Sequence, residues 1–208
     1  MEAQTKEAQD KMTPDKSLNE LRLGNQRFVN KNQLNRDLLQ QVKQTSAGQY
    51  PFATILSCID SRVSSELIFD QGIGDIFSVR IAGNFVNEDI LGSMEFACKL
   101  AGTKLILVLG HTACGAVKGA CDHARLGNLT ALINKIEPAV EAVIEPKEES
   151  QRNSSNINFV NSVAEKNVEM TISNIRSSSP VLAEMEEQGS IKIIGGMYDI
   201  DTGIVHFM

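Results

Sequence analysis

The sequence predicts an α/β fold with a mainly parallel central sheet, a strand order beginning 2-1-3 and helices packed around it. Three short apolar runs, at 52–58, 75–81 and 104–110, are typical of buried strands. Segments with helical patterning lie between and after them, and this alternation favours parallel pairing. Two further runs, 191–198 and 204–207, are separated only by a tight turn, which predicts an antiparallel strand at one edge of the sheet.

Helix signals account for most of the remaining chain. Ser17-Leu-Asn-Glu20 matches a capping box and predicts an N-terminal helical arm that runs to about Val29. Asn87 is the expected cap of a helix that ends before Gly102. Further helices are predicted near 38–42, 64–70, 114–125, from 128 onward, at 157–176 and at 180–188. Residues 1–16 are predicted to be a flexible polar lead-in, which leaves 17–208 as one domain.

Length and charge exclude several classes of protein. The 208 residues suffice for one domain with a substantial core. The formal net charge of −6 provides no basic surplus, so no nucleic-acid partner is expected. No apolar run approaches the roughly 20 residues of a membrane span, so no membrane partner is expected either. The N-terminus lacks the apolar stretch of a secretory signal, so a cytoplasmic location is expected, or a periplasmic one if a leader has been removed.

Two short motifs combine residues that bind metals. Ser57-Cys58-Ile-Asp60-Ser-Arg62-Val63 follows the first predicted strand, and Gly110-His111-Thr-Ala-Cys114-Gly115 follows the third. In a sheet whose order begins 2-1-3, these strands are neighbours and their carboxyl ends lie at the same edge. Cys58, His111 and Cys114 are therefore expected to converge.

Two thiolates and one imidazole suit Zn²⁺, which prefers tetrahedral coordination. Three protein ligands leave the fourth position open, as in catalytic zinc sites. Asp60 lies two residues from a ligand and is expected to accept a hydrogen bond from a zinc-bound water. Arg62 can hold Asp60 ionised through a bidentate contact.

The paired Cys-x-Asp-x-Arg and His-x-x-Cys-Gly motifs resemble those of the β-class carbonic anhydrases, over about residues 49–120. The resemblance implies reversible hydration of carbon dioxide to bicarbonate by zinc-bound hydroxide, with one Zn²⁺ per chain. It implies zinc ligands at Cys58, His111 and Cys114 and a catalytic pair of Asp60 and Arg62. It also implies a dimer or tetramer with its sites near the interface.

Other positions match that family less closely. Gln49, Phe77, Phe96 and Gly115 resemble its substrate-binding residues. Residues 80–84 resemble an Arg-Asn-Ala-Gly-Asn segment, with isoleucine at the second position, and Ser64 replaces a usual proline. Some relatives close the site with the aspartate, under control of a pocket that includes a tryptophan. This chain has no Trp, so an open site is expected.

Several alternatives remain open from the sequence. The same zinc chemistry could hydrolyse carbon disulfide or carbonyl sulfide, and a zinc-stabilised scaffold without turnover would use four protein ligands. Asp60 and Arg62 could form a purely structural ion pair. Cys121 and His123 could join His111 and Cys114 in a local zinc knuckle. Phe77 and Phe96 could be core residues, and Gln49 an ordinary loop residue.

Overall fold

The computed structural model describes residues 1–208 and contains one five-stranded sheet of order β2-β1-β3-β4-β5. The first four strands are parallel, and β5 pairs antiparallel with β4 at the edge. The strands are β1 Ala53–Ser57, β2 Ile76–Arg80, β3 Leu105–His111, β4 Lys192–Tyr198 and β5 Val205–Phe207. The predicted fold class, including the 2-1-3 start and the antiparallel edge strand, is confirmed.

Ten α-helices surround the sheet. They are α1 Lys6–Asp10, α2 Pro14–Val29, α3 Leu38–Thr45, α4 Ser65–Ile68, α5 Glu88–Glu95, α6 Gly115–Cys121, α7 Gly127–Ile133, α8 Glu137–Ala142, α9 Ile157–Ser178 and α10 Pro180–Glu187. A π-helical turn, Phe96–Leu100, continues α5, and a 3₁₀ turn, Glu149–Gln151, precedes α9. No helix combines the length and apolarity that crossing a bilayer would require.

Alternate residues of β3 point to opposite faces and divide the core. Leu105, Leu107 and Leu109 pack with Leu21 of α2 and with the α4 region. The intervening β3 residues pack against the other face, with apolar residues of α5, α9 and α10. A third apolar cluster joins α6, α8 and the start of α9 beside the carboxyl ends of β1 and β3. β3 is the central strand of the five, and all seven of its residues are buried.

The N-terminal arm begins earlier than the capping box predicts. Thr13 is the cap of α2, since its side chain accepts a hydrogen bond from the Lys16 N–H, and Pro14 occupies the first helical position. Proline is favoured there because its missing N–H would have no helical partner. Ser17 instead lies buried inside the helix. The predicted N-cap at Ser17 is therefore wrong.

The segment predicted as a lead-in contains helix α1. The Gln9 side chain is buried there and donates hydrogen bonds to the carbonyls of Pro51 and Ala101, each at 2.8 Å. These contacts join α1 to the amino end of β1 and to the end of the π-helical turn. The division of the chain at residue 17 stays a prediction.

Two helices differ in extent from the prediction. Asn87 caps α5 as expected, accepting from the Ile90 N–H, but the α-helix ends at Glu95 and the π-helical turn follows. The helix predicted for 114–125 ends at Cys121. His123, two residues later, has a positive φ of 50°, a conformation that cannot continue a right-handed helix.

Candidate metal centre

Three buried side chains converge at the carboxyl edge of the sheet. Cys58 follows β1, His111 is the last residue of β3, and Cys114 is the cap of α6. One ligand atom from each lies within 4.8 Å of the other two, and the two sulfurs are 3.9 Å apart. The parallel pairing of β1 with β3 brings Cys58 and His111 together, although 53 residues separate them in the chain.

The His111 ring is oriented as a ligand. Its Nδ1 lies 2.9 Å from the Thr112 carbonyl oxygen, which can only accept, so Nδ1 carries the proton. Nε2 then has a free lone pair, and it is buried with no hydrogen-bond partner. A buried ring nitrogen without a partner is costly, and coordination of a metal ion would satisfy it.

The surroundings of the four cysteines shift their pKa values in different ways. The contact with the Cys114 thiol lowers the pKa of Cys58 to about 4, and the same contact together with burial raises the pKa of Cys114. The metal-free pair thus shares one proton. Burial raises the pKa values of Cys98 and Cys121 to about 11, so both stay neutral thiols. A thiolate is the metal-binding form, and of the four cysteines only Cys58 and Cys114 lie together with a third ligand atom, from His111.

Asp60 and Arg62 form a bidentate ion pair beside this cluster. The guanidinium donates to both carboxylate oxygens at 2.9 and 2.7 Å, and the Arg62 backbone N–H donates to Oδ1 at 3.0 Å. The Arg62 side chain is the main reason that the pKa of Asp60 lies well below its usual range. Asp60 Oδ2 is 3.9 Å from His111 Nε2, so an ionised acceptor faces the candidate metal position.

Arg80, at the end of β2, fixes the loop that carries Cys58. Its guanidinium donates to the Cys58 carbonyl at 3.0 Å and to the Asp60 carbonyl at 2.8 Å. The Gly83 N–H donates to the Cys58 sulfur at 3.4 Å. The family resemblance pointed to this segment, but no sequence pattern indicated which atoms it would contact.

Contacts from β4, from the turn that follows β4 and from α9 hold the loop between His111 and Cys114. The Thr112 N–H donates to the Tyr198 carbonyl at the end of β4, and the Thr112 hydroxyl accepts from the Ile200 N–H. Asn161 of α9 accepts from the Ala113 N–H at 2.9 Å. On the same helix, Asn167 donates to the Gly83 carbonyl at 2.8 Å. The sequence interpretation missed both asparagines; the one available signal was an amide on the apolar face of a predicted helix.

The four predicted substrate-binding residues do not gather around the cluster within one chain. Gly115 follows Cys114 directly, at the start of α6. Gln49 lies before the amino end of β1, whereas Cys58 follows its carboxyl end. Phe77 pairs with Thr54 in the sheet. Because Thr54 lies four residues before Cys58, Phe77 is about 13 Å from Cys58 along the strand direction. Phe96 stacks edge-on against Phe77, so both lie at the outer edge of the sheet.

The local zinc knuckle is not formed. Cys121 is buried in the core cluster of α6, α8 and α9 and is absent from the group of ligand atoms. The exposed His123 ring contacts Glu137, which also pairs with Arg125. That alternative is therefore wrong.

Comparisons with known proteins agree with this arrangement. A family model described as carbonic anhydrase matches residues 53–205. Carbonic anhydrase 2 of Mycobacterium tuberculosis is 37% identical over 158 residues, which cover 76% of this chain and 74% of that protein. Carbonic anhydrase of Pseudomonas aeruginosa is 30% identical over 170 residues, covering 79% and 76%. The crystal structure of the β-carbonic anhydrase CafA of Aspergillus fumigatus is similar with a TM-score of 0.70 at 27% identity, covering 80% and 79%.

Proposed function

Because the chain belongs to the β-class carbonic anhydrase family, a family of lyases, we propose that it interconverts carbon dioxide and bicarbonate, with a zinc ion held by Cys58, His111 and Cys114. The observation that carries the proposal is the meeting of three buried ligand atoms beside a carboxylate that Arg62 keeps ionised. Neither feature alone requires this chemistry. Together they provide a place for a metal ion and, next to it, a charged proton acceptor.

The ligand set suits zinc in particular. Two sulfurs at Zn–S distances of about 2.3 Å in a tetrahedron lie roughly 3.8 Å apart, close to the 3.9 Å between the Cys58 and Cys114 sulfurs. His111 offers Nε2, and the Thr112 carbonyl fixes the tautomer that leaves its lone pair free. Zinc held by these residues would supply the nucleophile, because it would lower the pKa of a coordinated water to near 7.

Asp60 is proposed as the group that orients the reacting water. Its Oδ2 faces the candidate metal position and keeps lone-pair capacity beyond the hydrogen bond from Arg62. Because Arg62 holds the pKa of Asp60 low, the carboxylate accepts a hydrogen bond but does not retain a proton at neutral pH. By accepting a hydrogen bond from the water, Asp60 would leave a lone pair of the water oxygen directed toward carbon dioxide, and the proton that the water loses would pass to solvent. Both oxygens are engaged by Arg62, which supports the open form of the site.

Gln49, Phe77 and Phe96 are proposed to complete the substrate pocket where two copies of the chain meet. Within one chain these residues lie near the amino end of β1, away from Cys58. Phe96 is 51% exposed and belongs to the outer edge of the sheet, where β2 has only β1 as a neighbour. An edge strand flanked by exposed apolar residues is a ready surface for association.

Stopped-flow measurement of carbon dioxide hydration across pH tests the proposal, on protein with one zinc per chain verified by elemental analysis. We expect the rate to rise with pH as the bound water ionises, to vanish on chelation and to return with added zinc. Carbonyl sulfide and carbon disulfide serve as comparison substrates. Zinc-loaded protein that hydrates no carbon dioxide, or hydrolyses only the sulfur analogues, would contradict the proposal.

A further inference from the structure

Helix α9 contacts the loop that carries Cys114 and, after β2, the residue whose N–H contacts Cys58. It packs against β3 and β4, and its Asn161 and Asn167 make these contacts from positions about 9 Å apart along the helix axis. Asn161 Oδ1 accepts from the Ala113 N–H, between His111 and Cys114. Asn167 Nδ2 donates to the Gly83 carbonyl, beside the N–H that contacts Cys58.

Neither asparagine is accounted for by the helix itself. Asparagine is a poor residue for a helix interior because its amide competes for backbone hydrogen bonds. Asn167 is only 3% exposed, and a buried amide is unfavourable unless it is hydrogen-bonded. The neighbouring buried positions, Val163, Ala164 and Val168, are apolar as expected. What distinguishes the two asparagines is their contact with Ala113 and Gly83, each of which adjoins or contacts a candidate ligand.

Asn167 holds the residue whose N–H contacts Cys58. Gly83 has a positive φ of 78°, a conformation that residues with a Cβ rarely adopt, and an added Cβ would lie 2.3 Å from Ile136 Cδ1. Asn167 donates to the carbonyl of this residue, and the Gly83 N–H donates to the Cys58 sulfur. Asn167 therefore restrains the residue through which it acts on Cys58.

The Asn161 contact acts in the same way on the loop that carries Cys114. Ala113 has a positive φ of 54°, a conformation disfavoured for any residue with a Cβ. It is the last residue before Cys114, so its conformation sets the direction in which the chain enters α6. Asn161 satisfies the Ala113 N–H in that conformation and so opposes relaxation of the loop.

We propose that Asn161 and Asn167 are positioning residues that hold Cys114, through Ala113, and Cys58, through Gly83, in metal-binding geometry before the ion arrives. The inference rests on the proposed metal centre, and it assigns to α9 a function beyond core packing. The two residues act through opposite halves of the amide. Asn161 works as an acceptor, whereas Asn167 works as a donor.

This difference provides a test based on matched variants. Aspartate keeps the acceptor of asparagine and loses the donor, and leucine loses both at similar size. We expect the dissociation constants for Zn²⁺ and Co²⁺ to rise about 10–100-fold in Asn161→Leu, Asn167→Leu and Asn167→Asp. Asn161→Asp should bind both metals at least as tightly as the wild-type chain. The visible absorption of the Co²⁺ protein should change in the three weakened variants only, because it reports ligand geometry.

Asn158→Asp and Asn174→Leu are the controls, since both asparagines lie on the exposed side of α9. Thermal unfolding of each metal-free variant separates loss of fold from loss of metal affinity. Should Asn167→Leu fail to fold, the two Asn161 variants decide. Wild-type affinities and spectra in all variants, or equal losses in Asn161→Asp and Asn161→Leu, would overturn the inference. A wild-type chain that binds no zinc or lacks turnover would instead refute the proposed function.

Discussion

At the scale of single residues, a short contact with Arg62 determines the chemistry available to Asp60. A carboxylate without such a partner would be free to coordinate a neighbouring metal ion. Here both oxygens accept from one guanidinium, and the pKa lies well below the usual value of about 3.9 for aspartate. The carboxylate therefore remains a charged hydrogen-bond acceptor across the pH range in which a catalytic water would ionise.

Replacing Asp60 by asparagine should slow the reaction without unfolding the protein. The amide keeps the size of the side chain but removes the charge that accepts from water. We expect kcat/KM for carbon dioxide hydration to fall about 10²- to 10⁴-fold, with one zinc per chain retained and the circular dichroism spectrum unchanged. Stopped-flow assays measure the rate, elemental analysis measures the zinc content, and circular dichroism reports the fold.

Asp15→Asn, at an exposed position of α2, is the matched control and should keep full activity. If Asp60→Asn instead lost its zinc and its fold while Asp15→Asn did not, Asp60 would be a structural residue. That outcome would favour the scaffold alternative over an enzyme.

At the scale of secondary-structure elements, a buried carboxylate ties the N-terminal arm to the sheet. Asp70, after α4, pairs with Arg27 of α2 and with Arg36, which precedes α3. The side chains of Asp70 and Arg36 are 4% and 7% exposed. Burial alone would raise the pKa of Asp70, but the hydrogen bonds from both arginines outweigh it, and the pKa is lowered.

Asp70→Asn should therefore destabilise the fold substantially, by about 3–5 kcal/mol at pH 7, because it leaves a buried arginine without its counter-charge. A lowered pKa means that Asp70 contributes stability above about pH 4 and loses it as the pH falls further toward its folded-state value. The difference between wild type and variant should thus shrink in acid. Urea unfolding of the metal-free proteins at several pH values measures this.

Asp15→Asn removes an exposed ion pair with Lys192 and should change stability by no more than about 1 kcal/mol at any pH. Equal effects of the two substitutions, or a gap that widens in acid, would show that Asp70 does not anchor the arm.

At the scale of the whole molecule, one edge of the sheet is poorly covered. β2 and β5 are both edge strands with a single neighbour, but β5 is only three residues long. Phe77 of β2 stacks against Phe96, and Leu100 on the π-helical turn that includes Phe96 is 77% exposed. This apolar edge is where we propose that two copies meet.

Phe96→Arg should weaken self-association, since it places a charge in the middle of that apolar edge. We expect a lower mass by light scattering coupled to size-exclusion chromatography, together with a loss of activity as the shared pocket opens. The control Leu126→Arg introduces the same charge at an exposed leucine before α7, away from this edge, and should leave the mass unchanged. A wild-type chain that is monomeric and fully active would contradict the shared pocket.

Much of this architecture could be predicted from the sequence. Hydrophobic runs bounded by turn residues indicated all five strands, and β1 and β3 were the clearest because a strand buried on both faces is apolar throughout. Parallel order then placed Cys58 and His111 at one edge, since strand direction determines which ends meet. The start of α2 was predicted four residues too late, because the Thr13-Pro14 cap competes with an equally plausible capping box at Ser17.

The order of residues along the chain is enough to say which side chains are available for chemistry and roughly where they fall on the sheet. Which of these side chains meet depends on the folded arrangement. The hydrogen bond from Asn167 to the Gly83 carbonyl, the one from the Ala113 N–H to Asn161 and the separation of Gln49 from Cys58 all depend on how distant segments pack. Local patterns record helix and strand propensity, whereas such contacts arise from packing of elements whose spacing in the chain carries no signal.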